Sequence, residues 1–473
     1  MTLPFSMSGF RNSLAIVLAA ALAGCLAGPD FKPPPDPVST AYLPAAPASA
    51  TETVALPVPW WSVFQSEELN RLVQEALAGN LSLAQARARL DQARETLTAQ
   101  TGATLVPALD ARLSASRQKT DPASMGITQI PAPPPYNLFN ASVSVSYTLD
   151  WSGKNRRLLE GLKAGVDYQS FQLQAARQSL AANVVNAALR KAALDRQAAL
   201  LRDMIAIQSN QVAIAQDLHA EGGLSGQDLE QQRLLLAQTQ ALVPALERQS
   251  GHLARIVAVY LGREPATAPA LSLELDALHL PPKLPLVLPS TLVRQRPDIR
   301  AAESLWRQAN AHVGVATANL FPQFTLSAAL GSQRTDIADI VDGMNIWNLG
   351  GNLVQPLFRG GELRARKRAA LAACEEAAAF HRQTVLQGLQ EVADTLQALD
   401  SDARTVSARA EAAHHAQTRF EIASRQQAAG GISRLALLDI RRQTLQTAME
   451  QVQAQADQLT DVTALFHALG TSW

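Results

Sequence analysis

The chain has 473 residues, and its 41 basic side chains balance its 41 acidic ones, so no net charge points to nucleic acid. Its only cysteines are Cys25 and Cys374, too few for a disulfide framework. The eight histidines show no metal-ligand spacing, and there is no phosphate-binding glycine loop or nucleophile elbow. Neither an enzyme nor a bound cofactor or metal is expected.

Residues 1–24 read as a signal peptide: Arg11 precedes an uninterrupted apolar run, Leu14 to Ala23, too short to span a membrane. The run ends in Leu22-Ala23-Gly24-Cys25, which resembles a bacterial lipobox and makes Cys25 the lipidated mature N-terminus. The plainer alternative is a small-residue cleavage site that happens to precede a cysteine. Leu26, rather than Asp, follows it; by resemblance to lipoprotein sorting this favours the outer membrane. Residues 25–59 carry nine prolines and read as an extended tether. No later run is long and apolar enough for a transmembrane helix, so any membrane crossing falls to strands.

Residues 60–262 form a first repeat. Its strands are expected at about 104–117 and 138–150, where the period is two. Leu109, Ala111, Leu113 and Ala115 alternate with Asp110, Arg112, Ser114 and Ser116; Val143, Val145, Tyr147 and Leu149 alternate with serines and a threonine. A soluble half-buried sheet alternates in the same way, but behind a lipobox the pattern is read as a transmembrane barrel wall. A helical hairpin follows, about 153–262. Leu180, Val184, Ala187, Lys191, Leu194, Ala198 and Leu201 follow 4-3 spacing, the period of a long packed helix, roughly 100 Å from Gly153 to His219. Gly222-Gly223 reads as its tight turn.

A Pro-rich linker, 263–297, leads to a second repeat, 298–473, with strands at about 319–332 and 346–358 and a hairpin at about 359–469. Gly222-Gly223-Leu224-Ser225 returns as Gly430-Gly431-Ile432-Ser433, 208 residues on (430 − 222), and Leu261-Gly262 returns as Leu469-Gly470 at the same offset. Trp151-Ser152-Gly153 with Arg157 matches Phe358-Arg359-Gly360 with Arg364, offset 207 (360 − 153). Landmarks in one order mark a duplicated half-protein rather than a short solenoid repeat. Four strands cannot close a barrel, whose lower limit is about eight, and open edges are not tolerated in lipid. Several chains must then share one barrel.

The chain resembles the lipoproteins of the outer membrane efflux family, TolC-like ducts of the NodT type. The likeness is carried by Gly28-Pro29-Asp30-Phe31-Lys32, Trp60-Trp61 with Phe64, Arg296-Pro297-Asp298-Ile299-Arg300-Ala301-Ala302-Glu303, Gln355-Pro356-Leu357-Phe358 with Gly360-Gly361, and Ala468-Leu469-Gly470. The resemblance implies a mainly α fold with transmembrane β structure: a homotrimer whose 12-stranded β-barrel is continuous with a long periplasmic α-helical barrel. It implies a passive exit duct in the outer membrane, with a periplasmic adaptor and an inner-membrane transporter of the RND type as partners. The alternatives are a type I secretion channel and a non-conducting coiled-coil lipoprotein that spans the envelope.

The resemblance also implies a gate just past the second turn, with inward rings of leucine and aspartate matching Leu435 and Asp439. Relatives carry a second Asp where this chain has Ala436; Asp228, its counterpart in the first repeat (436 − 228 = 208), is a substitute carboxylate. Converging carboxylates repel one another and favour cations. A solvated surface carboxylate and a helix-seam leucine are the plainer readings of Asp439 and Leu435. The tips at Gly222, Gly223, Gly430 and Gly431 are the expected adaptor-docking surface.

Overall fold

A computed structural model describes residues 26–33, 35, 42, 59–122, 126, 129, 131, 133–278 and 289–470; the signal segment and Cys25 lie outside this set. After a 3-10 turn at Trp60–Phe64 come α1 (Glu67–Gly79), α2 (Leu81–Leu105), β1 (Ala108–Gln118), β2 (Tyr136–Leu149), α3 (Lys154–Ala220) and α4 (Gly226–Tyr260). Next are α5 (Pro289–Gln295), α6 (Pro297–Ala318), β3 (Gln323–Arg334), β4 (Ile346–Val354), α7 (Glu362–Ala428) and α8 (Arg434–Ala468). The duplication is plain: α3 and α7 have 67 residues each, α4 and α8 have 35 each. No described helix is long and apolar enough to cross a membrane.

The bounds differ from expectation in instructive places. Residues 104 and 105 belong to α2, where Ala103-Thr104-Leu105 continues a helix of good formers rather than opening a strand. Strand β3 starts at Gln323, because Leu320 and Phe321 close the helix before it by backbone turns, and β4 ends at Val354, ahead of Pro356. The linker is not wholly extended: it holds turns at Pro265–Thr267 and Leu275–Ala277 and the short α5. Helix α4 runs straight through Pro244, past the proline-free stretch. Pro244 and Gln240, whose carbonyl loses its helical donor, are both exposed, so that carbonyl is left open to solvent. The structure also pairs Gly153 with Gly361 and Arg157 with Ala365, since each glycine carbonyl takes the N–H four residues on. The match to Gly360 and Arg364 is one residue short; the hairpin offset is 208 throughout (361 − 153).

The chain forms two compact units. One comprises the N-terminal arm with residues 89–169 and 302–381. Its antiparallel sheet has the order β1-β2-β3-β4, leaving β1 and β4 as edges. The register sorts side chains by face. Leu109 lies beside Val145, Val145 beside Ala328 and Ala328 beside Leu349; the next apolar row is Ala111, Val143, Leu330 and Trp347. The opposite face carries Asp110, Ser144, Ala329 and Asn348 in one row. Leu109, Leu113, Trp347 and Leu349 are 69–79% exposed, so one face of the sheet is an uncovered apolar wall. At the helix end of the sheet Trp151 Nε1 donates to Pro322 O (2.9 Å), joining the two repeats.

At that same end the arm is clamped. Ala27 N donates to Ser152 O (3.1 Å). The guanidinium of Arg157, 2% exposed, donates to Ala27 O, Gly28 O, Asp30 Oδ1 (2.7 Å) and Glu160 Oε2 (2.7 Å). Asn310 donates to Pro29 O (3.0 Å), and Phe31 packs edge-on to Trp306 at 5.1 Å beneath the Arg307 guanidinium. The Gly28–Lys32 motif is therefore a strap fitted to its own cradle.

The other unit comprises residues 35–88, 170–301 and 382–473. Its core gathers Trp60, Trp61, Phe64, Leu69, Leu72 and Phe466, with Trp60 stacked on Phe466 at 5.5 Å. Here the Arg296 motif acquires its meaning. Arg296 is 5% exposed and bonds Asp298 through two nitrogens (3.0 and 2.6 Å), Glu391 of α7 (2.8 Å) and the Ala468 carbonyl at the end of α8 (3.0 Å). A side chain at Gly470 would strike Arg296, which is why the chain ends its last helix in Leu-Gly. Burial works to raise the Asp298 pKa, but the bonds and charge of Arg296 hold it below the ordinary carboxylate range.

Candidate functional site at the hairpin tips

Both tips are built from one recipe. Helix α3 ends with Gly222 at φ 77° and Gly223 N donating to Leu218 O (2.8 Å); α7 ends with Gly430 at φ 77° and Gly431 N donating to Gln426 O (2.8 Å). This bond, reaching back five residues, with a left-handed glycine before it, is a Schellman ending. The first glycine of each pair carries the conformational demand; the second does not leave the ordinary regions. Each return helix opens on a serine cap: Ser225 Oγ accepts from Asp228 N and Ser433 Oγ accepts from Ala436 N, both at 3.1 Å.

The predicted gate residues sit on these first turns. Leu435 and Asp439 are one turn apart on α8, and both are half-buried. The Asp439 carboxylate is held within its own helix: Arg442 donates two bonds to Oδ1 (3.1 and 3.0 Å) and Gln443 donates to Oδ2 (2.8 Å). Gln443 in turn accepts from Arg419 of α7 (2.6 Å), so the acid ties the two helices of the second tip together. Asp228 is exposed and stays in its own turn, where Ser225 Oγ donates to Oδ2 (2.7 Å). It orients the Ser225 cap hydroxyl rather than reaching toward Asp439's helix.

The tips differ in charge. Residues 203–235 carry Asp203, Asp217, Glu221, Asp228 and Glu230 against Arg233 alone. The matching stretch, 411–443, carries Arg419, Arg425, Arg434, Arg441 and Arg442 against Glu411, Glu421 and Asp439. Arg441 lies over the Phe420 ring at 4.7 Å and bonds Gln417, a second tie across that tip. Sequence reasoning missed these arginines; their clustering beside Asp439 was the available signal. Among the described residues no group of three or more His, Cys, Asp or Glu is placed to hold a metal.

A family model described as outer membrane efflux protein matches residues 72–257 and 288–471, one stretch in each repeat. The chain belongs to the outer membrane efflux protein family. Relatives of this family include the pyoverdine export outer membrane protein OpmQ of Pseudomonas aeruginosa, 32% identical over 88% of this chain and 87% of that protein. The probable efflux pump outer membrane protein TtgC of Pseudomonas putida is 30% identical over 98% of this chain and 95% of its own length. Among solved structures, the outer-membrane channel OprN superimposes with a TM-score of 0.83 at 28% identity, covering 95% of this chain and all of that one. The Campylobacter jejuni CmeC outer membrane channel gives 0.85 at 22% identity over 94% and 95% of the two chains, which speaks for the fold alone. This efflux family member is an outer membrane channel, and the apolar wall of its sheet is the lipid-facing side of a membrane barrel.

Proposed function

We propose that three copies of this chain form one exit duct, closed at the hairpin tips and opened by a periplasmic adaptor that links it to an inner-membrane transporter of the RND type. The observation that carries the reading is the open four-stranded sheet with one apolar face. Its β1 and β4 edges must be paired in lipid, and three chains supply twelve strands to a closed barrel. The duct conducts without chemistry, so energy comes from the transporter. Passage of small molecules is favoured over protein secretion by relatives named for pyoverdine export and for efflux pumps.

Cys25 carries the covalent lipid anchor. Only Leu26 separates it from the first strap bond at Ala27, and Leu26 lies against Gly153 just past the end of β2. The acyl chains are thereby held at the helix end of the barrel wall. At the tips, Leu435 and Asp439 from three chains narrow the aperture, and Asp228 adds acidic charge beside it. Arg442 partly neutralises each Asp439, so the closed ring suffers less repulsion than bare carboxylates would. Adaptor hairpins dock at Gly222-Gly223 and Gly430-Gly431. The mass of the purified protein in detergent tests the stoichiometry: three chains per particle are expected, and a stable folded monomer overturns the shared barrel.

A further inference from the structure

The loop between β3 and β4 does not stand away from the sheet. Arg334 Nε donates to Asp339 O (3.4 Å) on one side, and on the other Asn345 bonds both the N–H and the carbonyl of Gln333 (2.8 and 2.9 Å). Between these ties a 3-10 turn, Ala338–Val341, packs on β2 and β3, and the chain returns through Gly343 at φ 96°. The loop lies over one end of the apolar face and leaves the rest of it open. It encloses with β1, β2 and β3 an open recess of about 540 Å³, lined by Leu113, Val143, Leu330, Ile340, Val341 and Met344. That volume is in the range of small-ligand sites. The outer lip is apolar too: Ile337, Val341 and Met344 are 63–83% exposed.

An unpaired polar side chain lies on the floor. Ser332 is 5% exposed, and its hydroxyl finds no hydrogen-bond partner there. An unpaired buried donor among hydrocarbon side chains calls for an acceptor on whatever fills the space. The loop lies at the end of the strands away from the helices, hence at the outer leaflet. The chain's own lipid is excluded, because Leu26 is fixed at the opposite end of the sheet. A neighbouring copy joins through the β1 and β4 edges and lies beside, not over, the outward face.

We propose that this recess binds one acyl chain of an outer-leaflet lipid, whose ester or amide carbonyl accepts the Ser332 hydroxyl proton. The loop then extends the lipid-facing wall instead of forming part of the mouth in water. The inference rests on the sheet being a membrane wall, so its test carries an internal reference for that reading. In a Cys374→Ala background, Val341→Cys and Leu349→Cys are labelled with an environment-sensitive NBD dye. Each is reconstituted into phosphatidylcholine vesicles with or without nitroxide-bearing acyl chains. Both probes should lose most of their fluorescence to the nitroxide chains and little to aqueous iodide. Quenching at Leu349 but iodide quenching alone at Val341 overturns the recess while leaving the barrel intact. Quenching of Val341 by neither agent means protein covers it, which also overturns the proposal. Iodide quenching at both positions removes the membrane wall itself. With Ser332→Ala, nitroxide quenching at Val341 should weaken while Leu349 is unchanged; an unaltered signal removes Ser332 from the site.

Discussion

The two helical hairpins agree in length, caps and turn geometry, yet they are buried very differently. Within one unit, residues 170–220 of α3 place seventeen apolar side chains in the core, whereas residues 382–428 of α7 place three: Val392, Leu399 and Ala423. Leu386 and Ile422 of α7 remain 59% and 47% exposed. The return helices reverse the contrast, with four buried residues in α4 and eleven in α8, so the duplicated hairpins bury opposite arms and α7 keeps apolar positions open. Where the first hairpin has Leu194, Gln249 and Leu253, the second has Asp402, Asp457 and Asp461, each 208 residues on (402 − 194). The roots differ as well. Asn80 donates to Tyr260 O (2.9 Å), and Gly79 meets Gly262 backbone to backbone, at the first. The buried Arg296 holds the second.

The largest expected effect comes from breaking that second root. Arg296→Ala removes charged hydrogen bonds to the Ala468 carbonyl and to two carboxylates that remain 41% and 53% exposed, and should cost about 1.5–3 kcal/mol, while Asn80→Ala at the first root should cost about 1. Denaturation of trimers followed by gel mobility measures both. Because the folded Asp298 pKa is depressed, its contribution is complete above the unfolded carboxylate value of about 3.9 and is lost as pH falls below it. Acid should therefore weaken the second root, and Asp298→Asn should remove that pH dependence.

At the turns the hairpins should respond alike. Gly222→Ala and Gly430→Ala each force a left-handed alanine at about 1–2 kcal/mol, whereas Gly223→Ala should be nearly silent and Gly431→Ala costs only a tight 3.3 Å contact with the Gln426 carbonyl. Unequal losses in thermal melts at the two turns would mean that trimer contacts, not backbone conformation, dominate one of them.

The aspartates of the second hairpin sharpen the contrast through pH. Burial, the neighbouring Asp461 carboxyl and the charges of Asp461 and Asp457 push the Asp402 pKa up to about 6. The folded chain then binds a proton that the unfolded chain has released between about pH 4 and 6, so stability falls as pH rises through that window. Asp402→Asn should raise the melting temperature at pH 7.5, with the gain vanishing toward pH 4; a gain independent of pH contradicts the titration. The smallest effect is at the caps. Ser433→Ala should cost about 1 kcal/mol, and Ser225→Ala slightly more because its hydroxyl also bonds the Asp228 carboxylate.

Much of this was legible in the sequence because it rests on local rules. Alternation fixes which strand residues face lipid, glycine marks the turns, and heptad spacing marks the long helices. The asymmetry of the hairpins was not legible, since Val385, Leu389 and Leu396 follow the same spacing as Leu180 and Val184; spacing says that a seam exists, not which chain fills it. Nor were the clamps. Asp30 and Arg157 are 127 residues apart, and Arg296 reaches Ala468 across 172, so their motifs could be quoted but not explained. The one-residue slip at Gly360 arose because Gly360 and Gly361 are adjacent in the sequence, and only the helix hydrogen bonds show which one matches Gly153.

The central claim is that this chain is one third of a duct gated at the second hairpin tip. Single-channel recording in planar bilayers tests it most directly, comparing wild type with the Leu435→Ala/Asp439→Ala double variant. Small, flickering wild-type currents that become large and stable in the variant are expected. Large currents already present in the wild type and unchanged in the variant would contradict the gate, and trimers that insert without conducting would contradict the duct.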